Sequence, residues 1–471
     1  MTRQAGWIAA EAVIGMAGTV VTTFLVARIV GPDQVGRAAL ASAVVMLVQP
    51  IAAYAFTNAM VQRPALATPD IASVLWTSLG LAVALALTIA AAGLLLPGLL
   101  GPGVGPLLAA LALVLPLNAI EGTANGVLLR RHTFRELALR GIGAHTVGLA
   151  TGLSLALAGA GAWAIVGQQL AFFGTAAALA AAFARLPAVP VLHLGTIRGM
   201  ARFAVTSAAG GIAERAGLRL FLLVVAGGLP ALAGVLQIAF RIVEVARDLP
   251  SPFVHRYGLP ALSRLRPRPE AFQRRLQALC SLAGLAFAPV FAGLALCAPD
   301  VQAVLLGPAW TGIVAPVQVL SAALALGAFA LPFGMAFTAA GRPEVNLVLT
   351  VGGIGLTLLL ALLVPKAGPP AAAAWAAALL ADAAAASVFA SRWLGFPLRR
   401  QARLLAAALL PAAAVVAAVL AAEAAGLLPA RPALLVLAAK VAIGAAAGGP
   451  ILVLLARAPW REVSAPVPDA S

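Results

Sequence analysis

The sequence predicts an all-α polytopic membrane protein of about fourteen transmembrane helices, grouped as two six-helix lobes followed by two additional C-terminal helices. Three observations carry this. The 471 residues are 62% hydrophobic and only 10% charged, with a mean hydropathy of +1.03, whereas soluble domains run at about 45–50% apolar and about 25% charged. The apolar residues fall in continuous runs of the length that crosses a bilayer, about 20 residues, not in the alternating ten-residue segments of a barrel. The basic residues, all arginine except two lysines, cluster between alternate runs, which is the loop asymmetry that sets membrane orientation.

The spans are expected at 6–29, 35–59, 71–97, 104–127, 141–160, 162–184, 203–227, 231–250, 276–299, 312–338, 344–364, 370–391, 403–424 and 432–456. Arg3 precedes the first of them, but Glu11 interrupts the run, it continues to about Val30, and no cleavage site follows, so the N-terminus reads as an uncleaved helix. Between the sixth and seventh spans the connector Arg185–Arg202 contains prolines and arginines and divides the chain. The expected domains are an N-lobe at 1–184, this connector at 185–202, a C-lobe at 203–391, two additional helices at 392–456 and a tail at 457–471. With both termini cytosolic, twenty-two basic residues, Arg140 among them, flank the spans on the inner side. Arg28, Arg37, Lys366 and Arg431 lie outside, and Arg215, Arg219, Arg241, Arg247 and Lys440 fall within spans.

Several chemistries are excluded by what the chain lacks. There is no G-x-x-x-x-G-K-[ST] loop to cradle a nucleotide's phosphates, no D-x-D and no histidine or cysteine cluster at metal-ligand spacing, so no cofactor and no metal are expected. Basic patches interleaved with aromatics are missing, and no nucleic-acid partner is expected. Cys280 and Cys297 share one apolar segment, which on a helix places them roughly 25 Å apart, beyond disulfide reach. Trp7, Trp310, Trp393 and Trp460 fall near predicted interfaces, as an aromatic belt would.

The informative residues are polar ones inside apolar spans, each unfavourable there unless it faces water, a partner or a ligand. In the fourth span Asn118, Glu121 and Asn125 share a face, either as a hydrogen-bonded seam between helices or as a cavity lining. In the seventh, Glu214 and Arg215 precede Arg219; the two arginines lie one turn apart, and Glu214 neutralises only part of that pair. This is either an ion pair with a neighbouring helix or a cationic wall for an anionic substrate. In the eighth, Gln237, Arg241, Glu244 and Asp248 form a continuous polar stripe. Arginine suits phosphate because its planar fork donates two hydrogen bonds at once. The first span aligns Glu11, Gly15, Gly18 and Thr22 on one face, a pattern for close helix packing. His145 reads as a packed histidine or a proton carrier. Asp382, Glu423 and Lys440 read as structural.

The segments VARIVGPDQVGRAALASAVVML, AMVQRPALATPDIASVLWTSLGL, LLRRHTFRELALR, AWAIVGQQLAFF, RDLPSPFVHRYGLPALSRLRPRPEAFQRRL and LLGPAWTGIVAPVQVLSAA, in this order, resemble the polysaccharide-transporter family of bacterial lipid-linked oligosaccharide flippases. The resemblance covers most of residues 1–400. It implies the multidrug/oligosaccharidyl-lipid/polysaccharide flippase fold, two lobes in a V around a cavity bounded mainly by helices 1, 2, 7 and 8. It implies a secondary transporter of the bacterial cytoplasmic membrane, with no covalent chemistry, that carries an undecaprenyl-pyrophosphate-linked repeat unit of O-antigen, exopolysaccharide or capsule type to the outer leaflet by alternating access. Its partners would be that lipid-linked substrate, membrane lipids, a polysaccharide polymerase and other export components. By helix position, Arg215, Arg219, Arg241, Arg28 and Arg37 would grip the pyrophosphate. Glu11, Asn118, Glu121, Asn125, Glu214, Gln237 and Glu244 would line the cavity or couple an ion. Relatives often carry an L-D-N-L-L stretch in the seventh helix, where this chain reads RLFLLVV (Arg219–Val225). A cation-coupled multidrug exporter and a peptidoglycan-precursor flippase are alternatives of the same fold. A membrane glycosyltransferase or polymerase would need a large outer loop or a metal-carboxylate motif.

Overall fold

The computed structural model describes residues 2–464 except 54–55, 64–66, 97, 99, 188, 249–250 and 430–431, and describes only the backbone at 2–5, 8–13, 16–17, 52–53, 58, 61–62, 207, 210, 214 and 251–257. Its helices are α1 Thr2–Val30, α2 Pro32–Ala53, α3 Thr57–Gln62, α4 Thr68–Leu95, α5 Val104–Leu111, α6 Val114–Arg130, α7 Phe134–Leu157, α8 Ala162–Ala184 and α9 Leu194–Ala226. They continue as α10 Pro230–Asp248, α11 Ser251–Arg264, α12 Pro269–Leu305, α13 Val314–Gly327, α14 Pro332–Ala339, α15 Pro343–Leu363, α16 Gly368–Trp393, α17 Leu398–Ala424 and α18 Ala433–Ser464. No strand occurs among the described residues.

Among the described residues the expected spans fall mainly on helix, 35–59 and 104–127 each divided between two helices, and ten helical stretches are long and apolar enough to cross a membrane. The expected spans on α7, α9 and α10 fall outside the ten, and the described side chains of α1 include the apolar stretch Gly18–Val30. For α7, α9 and α10 the reason lies in their side chains: α7 carries Arg135, Glu136, Arg140 and His145, α9 carries Arg198, Arg202, Arg215 and Arg219, and α10 carries the polar stripe. Helix α9 starts at Leu194, ahead of the expected 203, because Pro190 is the last residue of the connector that breaks a helix. Helix α12 likewise starts early, with Pro269 in its first turn, where a missing N–H is harmless.

The chain divides into two compact units, Met1–Gly234 and Val235–Ser471. In the first, α7 packs on α1 and α8, α6 on α8, and α2 on α5, α6 and α9. Its main core joins Leu40, Ala41 and Val45 of α2 to Ala82 of α4, Leu107 and Leu111 of α5, Leu115 and Ala119 of α6, and Val166 of α8, all buried. Glycine allows two backbones to touch where α2 meets the start of α10: a Cβ on Gly36 would stand 1.6 Å from the Pro230 carbonyl oxygen, and one on Gly234 2.0 Å from that of Pro32. The connector is fastened to α4: Trp76 Nε1 donates to Val189 O at 3.2 Å, His193 N donates to Ser73 Oγ at 2.8 Å, and Thr196 Oγ1 donates to Asp70 Oδ1 at 2.5 Å.

In the second unit α12 is the central helix, packed against α13, α17 and α18. Its core joins Leu262 and Leu265 to Phe272, Leu276, Phe333, Phe337, Ala390 and Phe396. Both cysteines lie buried and unpaired on α12. Trp393 and Trp460 are exposed as a belt requires, but Trp310 is fully buried and belongs to the core.

Candidate functional site

In the first unit the polar residues of α6 are used between helices. Gln49 Nε2 of α2 donates to Asn118 Oδ1 at 3.1 Å, and Asn118 Nδ2 returns to Val114 O at 2.8 Å. One helical turn on, Arg140 of α7 reaches Glu121 Oε1 at 2.5 Å and Asn125 Oδ1 at 2.9 Å, while Asn125 Nδ2 donates to Glu121 at 3.4 Å. The Glu121 and Arg140 side chains are 14% and 16% exposed. The result is a closed seam between α6 and α7 and not an open row of acceptors.

Arg140, read from the sequence as one of the inner-flank basic residues, is the partner of Glu121 that spacing within one helix did not reveal. The turn at Arg131–Thr133, where His132 adopts φ 54, folds α7 back on α6. Glu121 and Arg140 then lie within roughly one turn of each other across the hairpin, a distance that a long guanidinium spans. Reflecting the sequence about that turn is the signal that would have found the pair.

His145 of α7 packs against α1. A Cβ on Gly15 would stand 2.9 Å from His145 Nε2, and one on Gly18 3.8 Å from its Cβ. The Phe172 ring lies 4.8 Å away, centroid to centroid. Thr22 Oγ1 donates to Gly18 O at 2.6 Å. The glycine face of α1 therefore serves close packing. Glu11 and Glu214 have side chains outside the described residues.

The arginines differ in setting. Arg28 is exposed at the end of α1. Arg37, in the first turns of α2, pairs with Asp33 at 2.9 Å, and its Nη1 lies against Gly103. On α9, Arg215 is exposed and Arg219 half-buried. Ala204, Ala208, Ala216 and Leu222 of the same helix are buried, and Gly211 rests on Pro50 of α2. Helix α9 thus carries two cations one turn apart, in register with Ala204 and Ala208.

In the second unit Gln237, Arg241 and Glu244 are half-buried along α10, with Arg241 Nη1 3.4 Å from Glu244 Oε2. Arg247 and Asp248 close the helix in the open, 3.9 Å apart. A carboxylate at one edge of the Arg241 fork leaves its remaining donors for an anion. Elsewhere, Lys440 of α18 bonds Asp300 of α12 and Glu423 of α17, each at 2.7 Å, with the lysine side chain 8% exposed. This triad ties three helices together as a structural element. No group of three or more His, Cys, Asp or Glu placed to hold a metal occurs among the described residues.

Comparison with known proteins bears on this arrangement. The protein-family model described as "Polysaccharide biosynthesis protein" matches residues 25–315, more than half of the chain. A succinoglycan biosynthesis transport protein, ExoT, of Rhizobium meliloti (strain 1021) is 31% identical over 173 residues, 36% of this chain and 34% of that protein, so the match spans about a third of that relative's length. Among solved structures, the lipid II flippase MurJ in an inward closed conformation superposes with a TM-score of 0.74 at 11% identity, covering 98% of this chain and 100% of that one. An inward-facing multidrug resistance MATE transporter of the MOP superfamily gives 0.51 at 17% identity, covering 86% and 95%. At these identities the two likenesses establish the shared fold of a polytopic helical membrane protein. The chain belongs to the polysaccharide biosynthesis protein family.

Proposed function

We propose that this protein is a flippase that carries an undecaprenyl-pyrophosphate-linked oligosaccharide repeat unit from the cytosolic to the outer leaflet of the bacterial inner membrane. One observation supports this reading above the others: the matched residues 25–315 contain every arginine of the proposed grip, Arg28, Arg37, Arg215, Arg219 and Arg241. The transport named for the succinoglycan relative and the lipid II flipping named for MurJ point the same way. Both termini are cytosolic, the six-helix lobes are 1–184 and 203–391 joined by 185–202, and the helices of 392–456 are additions to them, for fourteen spans in all.

The mechanism is alternating access. Arg215, Arg219 and Arg241 hold the pyrophosphate through forked, charge-assisted hydrogen bonds, with Arg28 and Arg37 at the margin, while the lipid tail stays in the bilayer. Gln237, on the same stripe as Arg241, is the neutral amide that would meet sugar hydroxyls. An inside-negative potential favours outward movement of an anion by about 2.3 kcal/mol per charge per 100 mV. Coupling to a proton or sodium ion would fall to Glu244, Glu11 or Glu214, because Glu121 is already held by Arg140. The protein would work beside a polysaccharide polymerase and other export components, and itself break no bond.

The test is replacement of Arg215 and Arg219 together by Ala, with membrane levels of the protein checked. Loss of surface polysaccharide and accumulation of a lipid-linked oligosaccharide on the cytosolic leaflet are expected; unchanged export overturns the reading. Accumulation of a peptidoglycan precursor instead would assign the protein to that substrate.

A further inference from the structure

We propose that the second unit carries a binding site for an anionic phospholipid headgroup, built by Arg266, Arg342 and Trp393 around the turn between α14 and α15. The turn is fixed first. Gly341 adopts φ +78, Gly341 N donates to Thr338 O at 3.0 Å, and Arg342 N donates to Phe337 O at 2.9 Å. The positive φ disfavours a side chain at Gly341, and a Cβ there would stand 2.7 Å from Arg266 Nη2 and 2.9 Å from its Cζ. The Arg266 guanidinium therefore lies directly against the glycine. The next residue, Arg342, places its own guanidinium 5.2 Å from the centre of the Trp393 ring, and that ring stacks on Phe389 with centroids 5.0 Å apart. Gln273 Nε2, donating to Leu394 O at 3.2 Å, holds the end of α16 against α12.

Two guanidiniums are thus brought to either side of one turn, both exposed, and neither has an acidic partner among the described residues. The acids nearest in sequence are Glu344, exposed in the first turn of α15, and Glu270, which is 4.0 Å from Arg274. Like charges so placed repel each other unless an anion lies between them. A phosphodiester suits such a pair, since its oxygens accept the planar fork of an arginine.

What makes the occupant a lipid and not free phosphate is the surface that continues from it. Immediately beyond Arg342, α15 exposes Leu347, Val348 and Val351, at 62%, 59% and 59%. These lie on the neighbouring turns of a helix apolar enough to cross a membrane. The Trp393 ring, 43% exposed, sits beside the arginine pair, as interfacial tryptophans do at headgroup depth. A headgroup on Arg266 and Arg342 would therefore lay its acyl chains along that apolar stripe.

The experiment is lipid titration of the detergent-purified full chain, read by native mass spectrometry, with phosphatidylglycerol and phosphatidylcholine as probes and inorganic phosphate as competitor. Phosphatidylglycerol is expected to bind in preference to phosphatidylcholine, and affinity for it to fall roughly fivefold for each arginine removed in Arg266→Gln and Arg342→Gln, the weight of one basic residue at an anionic surface. The pair Arg457→Gln and Arg461→Gln, which removes as much exposed charge from α18, should leave that affinity in place. Equal loss in the α18 pair would reduce the effect to diffuse electrostatics and overturn the site. Displacement of the lipid by inorganic phosphate at matching concentration would overturn the lipid assignment. Should the Gln variants fail to fold, Arg342→Lys keeps the charge and loses the fork and the ring stacking; undiminished phosphatidylglycerol binding in that variant also overturns the proposal. Because the readout is lipid binding, its failure leaves the transport reading untouched.

Discussion

Arg140 shows how a single side chain changes the reading of its neighbours. With its guanidinium on Glu121 and Asn125, removing it as Arg140→Ala strands a mostly buried carboxylate, a loss of about 3 kcal/mol or more. The expected outcome is a lowered melting temperature of the purified protein. Replacing both partners, as Glu121→Met with Arg140→Met, should recover most of that loss, because two apolar groups leave nothing unpaired. If Glu121 instead serves as the coupling carboxylate, the double variant will be stable and inactive in polysaccharide export; continued export would identify the pair as structural. The sequence placed Asn118, Glu121 and Asn125 on one face from spacing alone. It left open whether that face met water or a helix, because the answer depended on a donor nineteen positions away across a turn.

At the scale of elements, the contacts that matter most are those with no side chain in them. Helices α2 and α10 meet through Gly36 and Gly234, where an added Cβ would overlap a backbone oxygen, and no rotamer change relieves a clash with backbone. Gly36→Ala should therefore sharply reduce accumulation of the folded protein in membranes. Gly80→Ala on α4, where nothing lies within 4 Å, should be neutral, since Ala is the better helix former. Quantitative immunoblotting of membranes separates the two. Helix positions were legible because apolar runs bounded by proline and arginine leave few alternatives. Helix ends were less so: α9 and α12 extend past the apolar run into polar turns, since backbone hydrogen bonding continues wherever no proline interrupts it. Trp310 was assigned to an interface by its position near a span end, and only the packing around it reveals that it is buried.

Across the whole molecule the ionisable residues sort by use. Glu121 with Arg140, and Lys440 with Asp300 and Glu423, are tied between helices, and α9 and α10 carry half-buried or exposed arginines on helices too polar to count among the ten apolar crossings. The same polarity that removes these helices from a hydropathy count makes them the candidates for ligand contact. Lys440→Met tests the tied class. It leaves Asp300 and Glu423 without their cation, and a destabilisation of about 3 kcal/mol is expected, read as a lower melting temperature that Asp300→Asn in the same chain partly restores.

The Lys440 triad also bears on how the chain is made. Asp300 and Glu423 leave the ribosome before Lys440 does, so for an interval two acids sit in α12 and α17 without a cation, and α18 then enters the membrane carrying a charge that opposes its own insertion. An unpaired lysine at the centre of a span costs about 2.5–3.5 kcal/mol, and the waiting acids offset it. Helix α18 is therefore accepted most readily by a nascent protein whose earlier helices are already assembled, and the ion triad works as a check on its arrival. A chain ended before residue 433 should be cleared from the membrane faster than the full chain. Carrying Asp300→Asn and Glu423→Gln in that shortened chain should lengthen its lifetime in a pulse-chase experiment.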